Sequence, residues 1–416
     1  GAGETERGAV EWRSYDASLR LAGDAILLRQ RRCEDEVYGD LRRQTGQAGR
    51  GVVTPAKFRM VDELAITGAT HPDVFVIVVD GLPRERPDPA TPPLTPEVDL
   101  LAREGTEFRN AFTRYATPAM SGPSIWFGGM SLHESYVEPF HTVNSLQKLM
   151  DAGRYRQFIG GDAAAGAIVR DGPLVTKVGV DERRDDACVQ LDRMREALEP
   201  VAGGSDPVFA WVDGAVSGSG SDDAQNVRRV DTCIGGFIDF LRGKGIWDTS
   251  IVIVTGHRGR RVAPADSSAL TPELLRVPLV VKLPRELQRQ VKADPDAIAF
   301  NSDITPTLYY LLGRDPVRNS EFLGRPLFTR ELGEQLPYIR GDYLVSGGNG
   351  PVYGVLAENG GRLYVADAIN SRDVVHDRAT GGELRARDPQ PGERRHLRAM
   401  LDERLRNIAD AYEVAP

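Results

Sequence analysis

The chain has 416 residues, of which 41% are hydrophobic and 27% charged. That is an ordinary balance for a globular protein with more chain than one small domain uses. Its formal charge of −8 excludes a general affinity for nucleic acid, which needs a net basic face. No apolar run approaches the ~20 residues that cross a bilayer, and Gly1-Ala2-Gly3-Glu4 carries neither the charged nor the apolar region of a signal peptide.

Residues from about 15 to 45 predict a helix, because Leu19, Ala22, Ile26 and Leu27 fall on one face with Arg and Glu between them. Gly46 to Gly51 breaks that pattern. Residues 1–70 are therefore read as an N-terminal helical arm without identifiable chemistry. From residue 71 the texture changes: Val74-Phe75-Val76-Ile77-Val78-Val79 is a continuous apolar run ending in Asp80-Gly81. Similar runs recur at Val208 to Val212, Ile251 to Val254 and Pro278 to Val281. Unbroken rather than alternating runs are the mark of strands buried on both faces of a parallel sheet.

Helices are predicted between them, at Pro96 to Glu104, Val143 to Ala152, Ala187 to Leu198, Val227 to Arg242 and Ile304 to Leu312. The alternation predicts an α/β fold, a doubly wound, mostly parallel sheet flanked by helices over residues 71–330. Ligands of such sheets bind beyond the carboxyl ends of the strands, where Asp80, Asp213 and the Thr255 to Gly259 loop then belong. Residues 331–416 predict a small C-terminal α+β subdomain, with β-like pieces at Tyr353 to Leu356 and Arg362 to Val365. A closing helix carries Leu397, Met400, Leu401, Leu405 and Ile408 on one face. The three cysteines, Cys33, Cys188 and Cys233, are far apart and show no zinc-type spacing. They permit at most one disulfide, and buried free thiols are the reading their contexts favour.

Four segments in order resemble the sulfatase/alkaline phosphatase superfamily over about residues 71–330. The first runs from His71 through Asp80-Gly81 to Thr95-Pro96-Glu97-Val98-Asp99-Leu100-Leu101-Ala102-Arg103-Glu104-Gly105. The second, Ser121-Gly122-Pro123-Ser124-Ile125, is similar to the family's nucleophile motif. Val227 to Gly259 with Arg276-Val277-Pro278-Leu279 forms the third, and Asp303-Ile304-Thr305-Pro306-Thr307-Leu308 with Gly324-Arg325-Pro326-Leu327 the fourth.

The resemblance implies transfer or hydrolysis of sulfate or phosphate esters with one or two divalent cations, held by strand-end carboxylates and an Asp-His or Asp-Asn loop. This sequence departs from that pattern. Asp80 keeps the first carboxylate, but Gly81 stands where the second is expected. His257 and Arg258 fall on the later ligand pair; sliding by one residue leaves Gly256 at the aspartate instead. The motif arginine falls on Ile125, the sulfate-gripping lysine on Gly161, and the histidines expected after the next strand are absent from Trp211 to Ser217. A fixed guanidinium ~5 Å from a divalent ion costs on the order of 6–7 kcal/mol at an effective dielectric of ~20.

The resemblance, with these departures, implies a degenerate, non-catalytic member with no cofactor. Arg258 is expected to take the vacated cation position and pair with Asp80, leaving Arg258, His257 and Ser121 to meet an anionic small molecule, glycan or lipid headgroup. Family resemblance also implies an extracytoplasmic location. The alternative is an active hydrolase or transferase in which Asp80, Ser121 and His257 hold a single zinc or calcium and Ser121 is the nucleophile. Plainer roles also fit these residues: Ser121-Gly122-Pro123 as a helix N-cap, His133 as a structural histidine, and His257, Arg258, Arg260 and Arg261 as an exposed, solvated loop.

Overall fold

The computed structural model describes residues 71–83, 93–130, 144–181, 186–217, 223–259, 270–313, 323–334, 341–347, 352–378 and 384–411. The expected N-terminal arm, Cys33, His133, Arg260 and Arg261 lie outside them. In chain order the first strands are β1 (Val74–Asp80), β2 (Thr106–Glu107), β3 (Ala111–Phe112), β4 (Arg156–Asp162) and β5 (Val175–Asp181). Then come β6 (Val208–Ala215), β7 (Ile251–Thr255), β8 (Leu279–Lys282) and β9 (Ala299–Phe300). Helices between them are α1 (Pro96–Glu104), α2 (Pro118–Phe127), α3 (Ser145–Ala152), α4 (Ala163–Ile168), α5 (Ala187–Leu198), α6 (Asp223–Gly243), α7 (Pro272–Leu275), α8 (Arg285–Gln290) and α9 (Ile304–Leu311).

The central sheet has seven strands in the order β2-β8-β7-β1-β6-β4-β5. Its central member, β1, pairs in parallel with β6 and β7. Side chains along a strand alternate between faces, so Val74, Val76 and Val78 enter one core with Trp126, Trp211 and Tyr309. Phe75, Ile77 and Val79 enter a second core with Leu191 and Met194 from α5 and Val230 and Ile234 from α6. Both faces of β1 are dry, which is why its sequence reads as an unbroken apolar run.

Two expectations are corrected here. The β8 run is antiparallel to β7, and so is β2 to β8; full burial on both faces, not strand direction, makes the run continuous. Strands β4 and β5 had no predicted run. The polar ends and paired glycines of β4 hide its period, and β5 lies at the sheet edge, where one-sided burial relaxes the apolar requirement.

Beyond the central sheet, β10 (Asp342–Ser346), β11 (Val352–Ala357), β12 (Arg362–Asp367), β13 (Arg372–Arg378) and β14 (Leu384–Arg387) form a five-stranded antiparallel sheet. Helix α10 (Pro391–Ala411) buries Leu397, Leu401 and Leu405. Leu344, Tyr353, Val355 and Tyr364 join the same core as Val74 and Val76, so the two sheets share apolar surface. None of the described helices is long and apolar enough to cross a membrane.

The free-thiol reading also fails. Cys188 on α5 and Cys233 on α6 form a disulfide, with Cα atoms 5.3 Å apart across a separation of 45 residues. Sequence distance conceals the pair because the side-by-side packing of two helices, not their spacing in the chain, brings them together. Replacing both by Ser is expected to lower unfolding free energy by about 2–4 kcal/mol, near the loop-entropy value for such a span, as read by urea denaturation.

Asp231 of α6 accepts from the Glu97 and Val98 amides (2.8 and 3.0 Å), closing the start of α1 from a distant helix. Burial raises its pKa from 3.8 to about 6, partly opposed by those two amides. A raised carboxyl contributes stability that is fully present below its ordinary pKa and lost as pH rises through about 6. Asp231→Asn should therefore remove about 2 kcal/mol of the decline between acid and neutral pH, measured by denaturant titrations across that window.

Candidate functional site

Parallel pairing sets three strand ends side by side. Asp80 lies opposite Ala215, and Val78 lies opposite both Asp213 and Thr255. The expected residues Asp80, Asp213 and Thr255 to Gly259 thus converge at one edge of the sheet, as open α/β sheets dictate.

Arg258 grips Asp80 with a fork: Nε donates to Oδ1 at 3.0 Å and Nη2 to Oδ2 at 3.4 Å. Their side chains are 29% and 15% exposed. The two-point contact fixes the planar guanidinium as well as balancing charge. This is the pairing the sequence led us to expect. The solvated-loop reading of Arg258 does not hold.

Nor does it hold for His257, whose side chain is 0% exposed. Its Nε2 lies 2.9 Å from Asp213 Oδ2, itself buried. The turn after β7 sends the ring inward against α2, where a Cβ on Gly122 would sit 3.3 Å from Cε1. Among the described residues, Nδ1 of His257 has no partner.

Ser121 is fully buried. Its Oγ accepts from Asn301 Nδ2 at 2.9 Å and lies 3.2 Å from Thr113 Oγ1, while Asn301 also donates to the Gly256 carbonyl at 3.0 Å. The N-cap reading of Ser121 is corrected: Thr117 is the cap, Pro118 opens α2, and the Ser121 amide already donates to the Thr117 carbonyl. The Thr117-Pro118 pair carries the cap-then-Pro signal one turn earlier.

The glycines that the resemblance sets at functional positions differ in their surroundings. Gly81 has φ +80°, and an added Cβ would meet only Val216 at 4.0 Å. At Gly256 a Cβ would lie 3.2 Å from the Val79 carbonyl oxygen, so any side chain there needs the backbone to give by a few tenths of an ångström. Gly161, where the lysine is expected, has φ +152° and lies against Asp213 and Ala165, with Cβ approaches of 3.0 and 2.8 Å. That backbone suits glycine alone.

A divalent cation needs several oxygen or imidazole donors at one point. Among the described residues, no group of three or more His, Cys, Asp and Glu side chains is placed to hold one. The nearest approximation is already committed, Asp80 to Arg258 and Asp213 to His257. Among the described residues, the donors at this site do not assemble a centre for such a cation.

Sequence reasoning placed Asp213 at the strand end without its histidine, and missed Thr113 and Asn301 altogether. The signal for Asn301 was its position just ahead of the fourth motif, where Asp303 shapes the turn by accepting from the Phe300 and Arg325 amides at 2.8 and 2.9 Å. Burial pushes the Asp303 carboxyl up, opposed chiefly by the Arg325 charge.

The chain has the alkaline-phosphatase-like fold, as comparison with solved structures shows. A protein of the alkaline phosphatase superfamily from Vibrio parahaemolyticus superposes with a TM-score of 0.57 at 16% identity, covering 89% of this chain and 97% of that one. A phosphonate monoester hydrolase from Silicibacter pomeroyi gives 0.56 at 16% identity, covering 81% and 96%. BT4656, solved with its substrate D-glucosamine-2-N,6-O-disulfate, gives 0.52 at 13% identity, covering 82% and 99%. No protein-family model matches the sequence, and no curated protein matches it.

Truncating one side of the Asp80–Arg258 pair removes a two-point ionic contact from a partly buried group. Arg258→Ala should cost about 1–3 kcal/mol. In a cycle with Asp80→Asn, the coupling should exceed about 1 kcal/mol, read from chemical denaturation.

Proposed function

We propose that the chain is a sulfatase-like domain that acts without catalysis, as a binding or scaffold module whose remnant pocket engages an anionic group through Arg258. The observation that carries this reading is the guanidinium fork on Asp80 at the end of the first core strand. Charge balance at that carboxylate is met by a side chain, so it does not require an ion. Of the five N–H groups on a guanidinium, two face Asp80. The others supply the donors for a sulfate or phosphate oxygen.

Burial of Ser121 and its ties to Asn301 and Thr113 argue against a free nucleophile. His257 has one ring nitrogen committed to Asp213, and both it and Ser121 are fully buried, so in this reading they support the site from within the core. A sulfated or phosphorylated small molecule, glycan or lipid headgroup is the ligand class this geometry favours, and the glycan arm is in keeping with the disulfated sugar bound by BT4656. The Cys188–Cys233 disulfide supports an extracytoplasmic setting, since such bonds persist in oxidising compartments.

Metal analysis of untreated protein should find well under about a tenth of an ion per chain, with no turnover of p-nitrophenyl phosphate or p-nitrophenyl sulfate. Calorimetry with inorganic sulfate should show binding that Arg258→Ala abolishes. Stoichiometric metal, or turnover lost in Ser121→Ala, would make the chain an enzyme and overturn the proposal.

A further inference from the structure

The chain leaving β6 runs beside Asp80 and is stitched on both sides. On one side the Val216 amide donates to the Asp80 carbonyl at 3.0 Å, next to the carboxylate that holds Arg258. On the other, Ala215 bridges in parallel to Asp186. The Ser217 hydroxyl donates to Asp186 Oδ2 at 2.5 Å, and Arg229 Nη2 donates to the Ser217 carbonyl at 3.0 Å.

Asp186 and Arg229 form a clamp around this segment. Arg229 Nη1 donates to Asp186 Oδ1 at 2.8 Å and Nη2 closes on Oδ2. The same carboxylate caps α5 by accepting from the Cys188 amide at 2.9 Å. Burial disfavours its charge, but Arg229, the Ser217 hydroxyl and that amide together hold its pKa below the ordinary value. Asp186 sits at the head of α5, and Arg229 on the side of α6. The clamp therefore keeps its geometry only if those helices stay in register there, and the disulfide joins them two residues beyond Asp186 and four beyond Arg229.

We propose that the Cys188–Cys233 bridge is a redox-sensitive brace for this segment: oxidised, it locks the Asp186–Arg229 clamp on Ala215 to Ser217; reduced, it lets the segment loosen and weakens anion binding. The binding half of this inference rests on the function proposed above. Lower down, α5 and α6 keep their shared apolar contacts through Leu191, Met194, Val230 and Ile234, so loss of the bridge acts at the rim while the core stays folded. Reduction by a dithiol is balanced as thiol–disulfide exchange: one reductant thiolate displaces a cysteine sulfur, and its second thiol resolves the mixed disulfide. Two electrons and two protons pass to the cysteines, leaving two protein thiols and a cyclic disulfide of the reductant.

Hydrogen–deuterium exchange on the whole chain, with and without dithiothreitol, tests the brace. Exchange in the peptide ending at Ser217 should rise about tenfold on reduction, while peptides of β1 and β7 stay protected. Affinity for inorganic sulfate should fall several-fold in parallel. Asp186→Asn, with the bridge intact, should loosen the same peptide and become insensitive to the reductant. An unchanged peptide after complete reduction, or loosening only through global unfolding, overturns the proposal. If the oxidised protein binds no sulfate, the proposed function fails, and the exchange result still decides the brace.

Discussion

A carboxylate at the end of a strand buried on both faces needs a positive partner, because the surrounding sheet supplies little solvent to screen it. Asp80 is in that position: β1 is dry from Val74 to Val79, and its last side chain emerges at the edge where three strands end together. In an alkaline-phosphatase-like fold, divalent metal is one answer to this constraint. Here the answer is Arg258, delivered from the neighbouring β7 loop. A guanidinium brings its own geometry, reaches the carboxylate at two points and stays charged at any physiological pH. Once it is seated, the remaining polar groups arrange around it.

His257 and Asp213 show the consequence. A histidine turned inward needs a hydrogen-bond partner, and Asp213 on β6 supplies it at 2.9 Å. Ser121 is likewise absorbed into structure, tied to Asn301 and Thr113 beneath α2. Gly122 makes room for the imidazole, and Gly161 lets β4 pass close to Asp213. Asp80, Ser121 and one ring nitrogen of His257 are thus paired with neighbouring side chains. Arg258 carries N–H groups beyond the two that meet Asp80, and the proposed ligand contact falls there.

The rim follows a related logic on the other side of β6. Asp186 meets a helix cap, a hydroxyl and an arginine at once, and such a multiply used carboxylate holds its place only if the elements that carry its partners are fixed. The disulfide between α5 and α6 supplies that fixity next to the clamp. Covalent and ionic restraints therefore meet at the segment that runs beside Asp80.

Sequence alone determined what depends on local period and residue chemistry. The apolar runs of β1, β6, β7 and β8, the longer helices α1, α3, α5, α6 and α9, and the strand-end position of Asp80 and Asp213 are all legible in the chain, because burial on two faces and helical period leave direct marks. The Asp80–Arg258 pair was also expected, because the family resemblance sets Arg258 where a cation would meet Asp80. Only the tertiary structure decided the antiparallel direction of β8, the strands β4 and β5, the burial of His257, the Asn301–Ser121 contact and the Cys188–Cys233 bond. Each of these joins residues far apart in the chain, or depends on which way a turn points, and neither is written in the spacing of residue types.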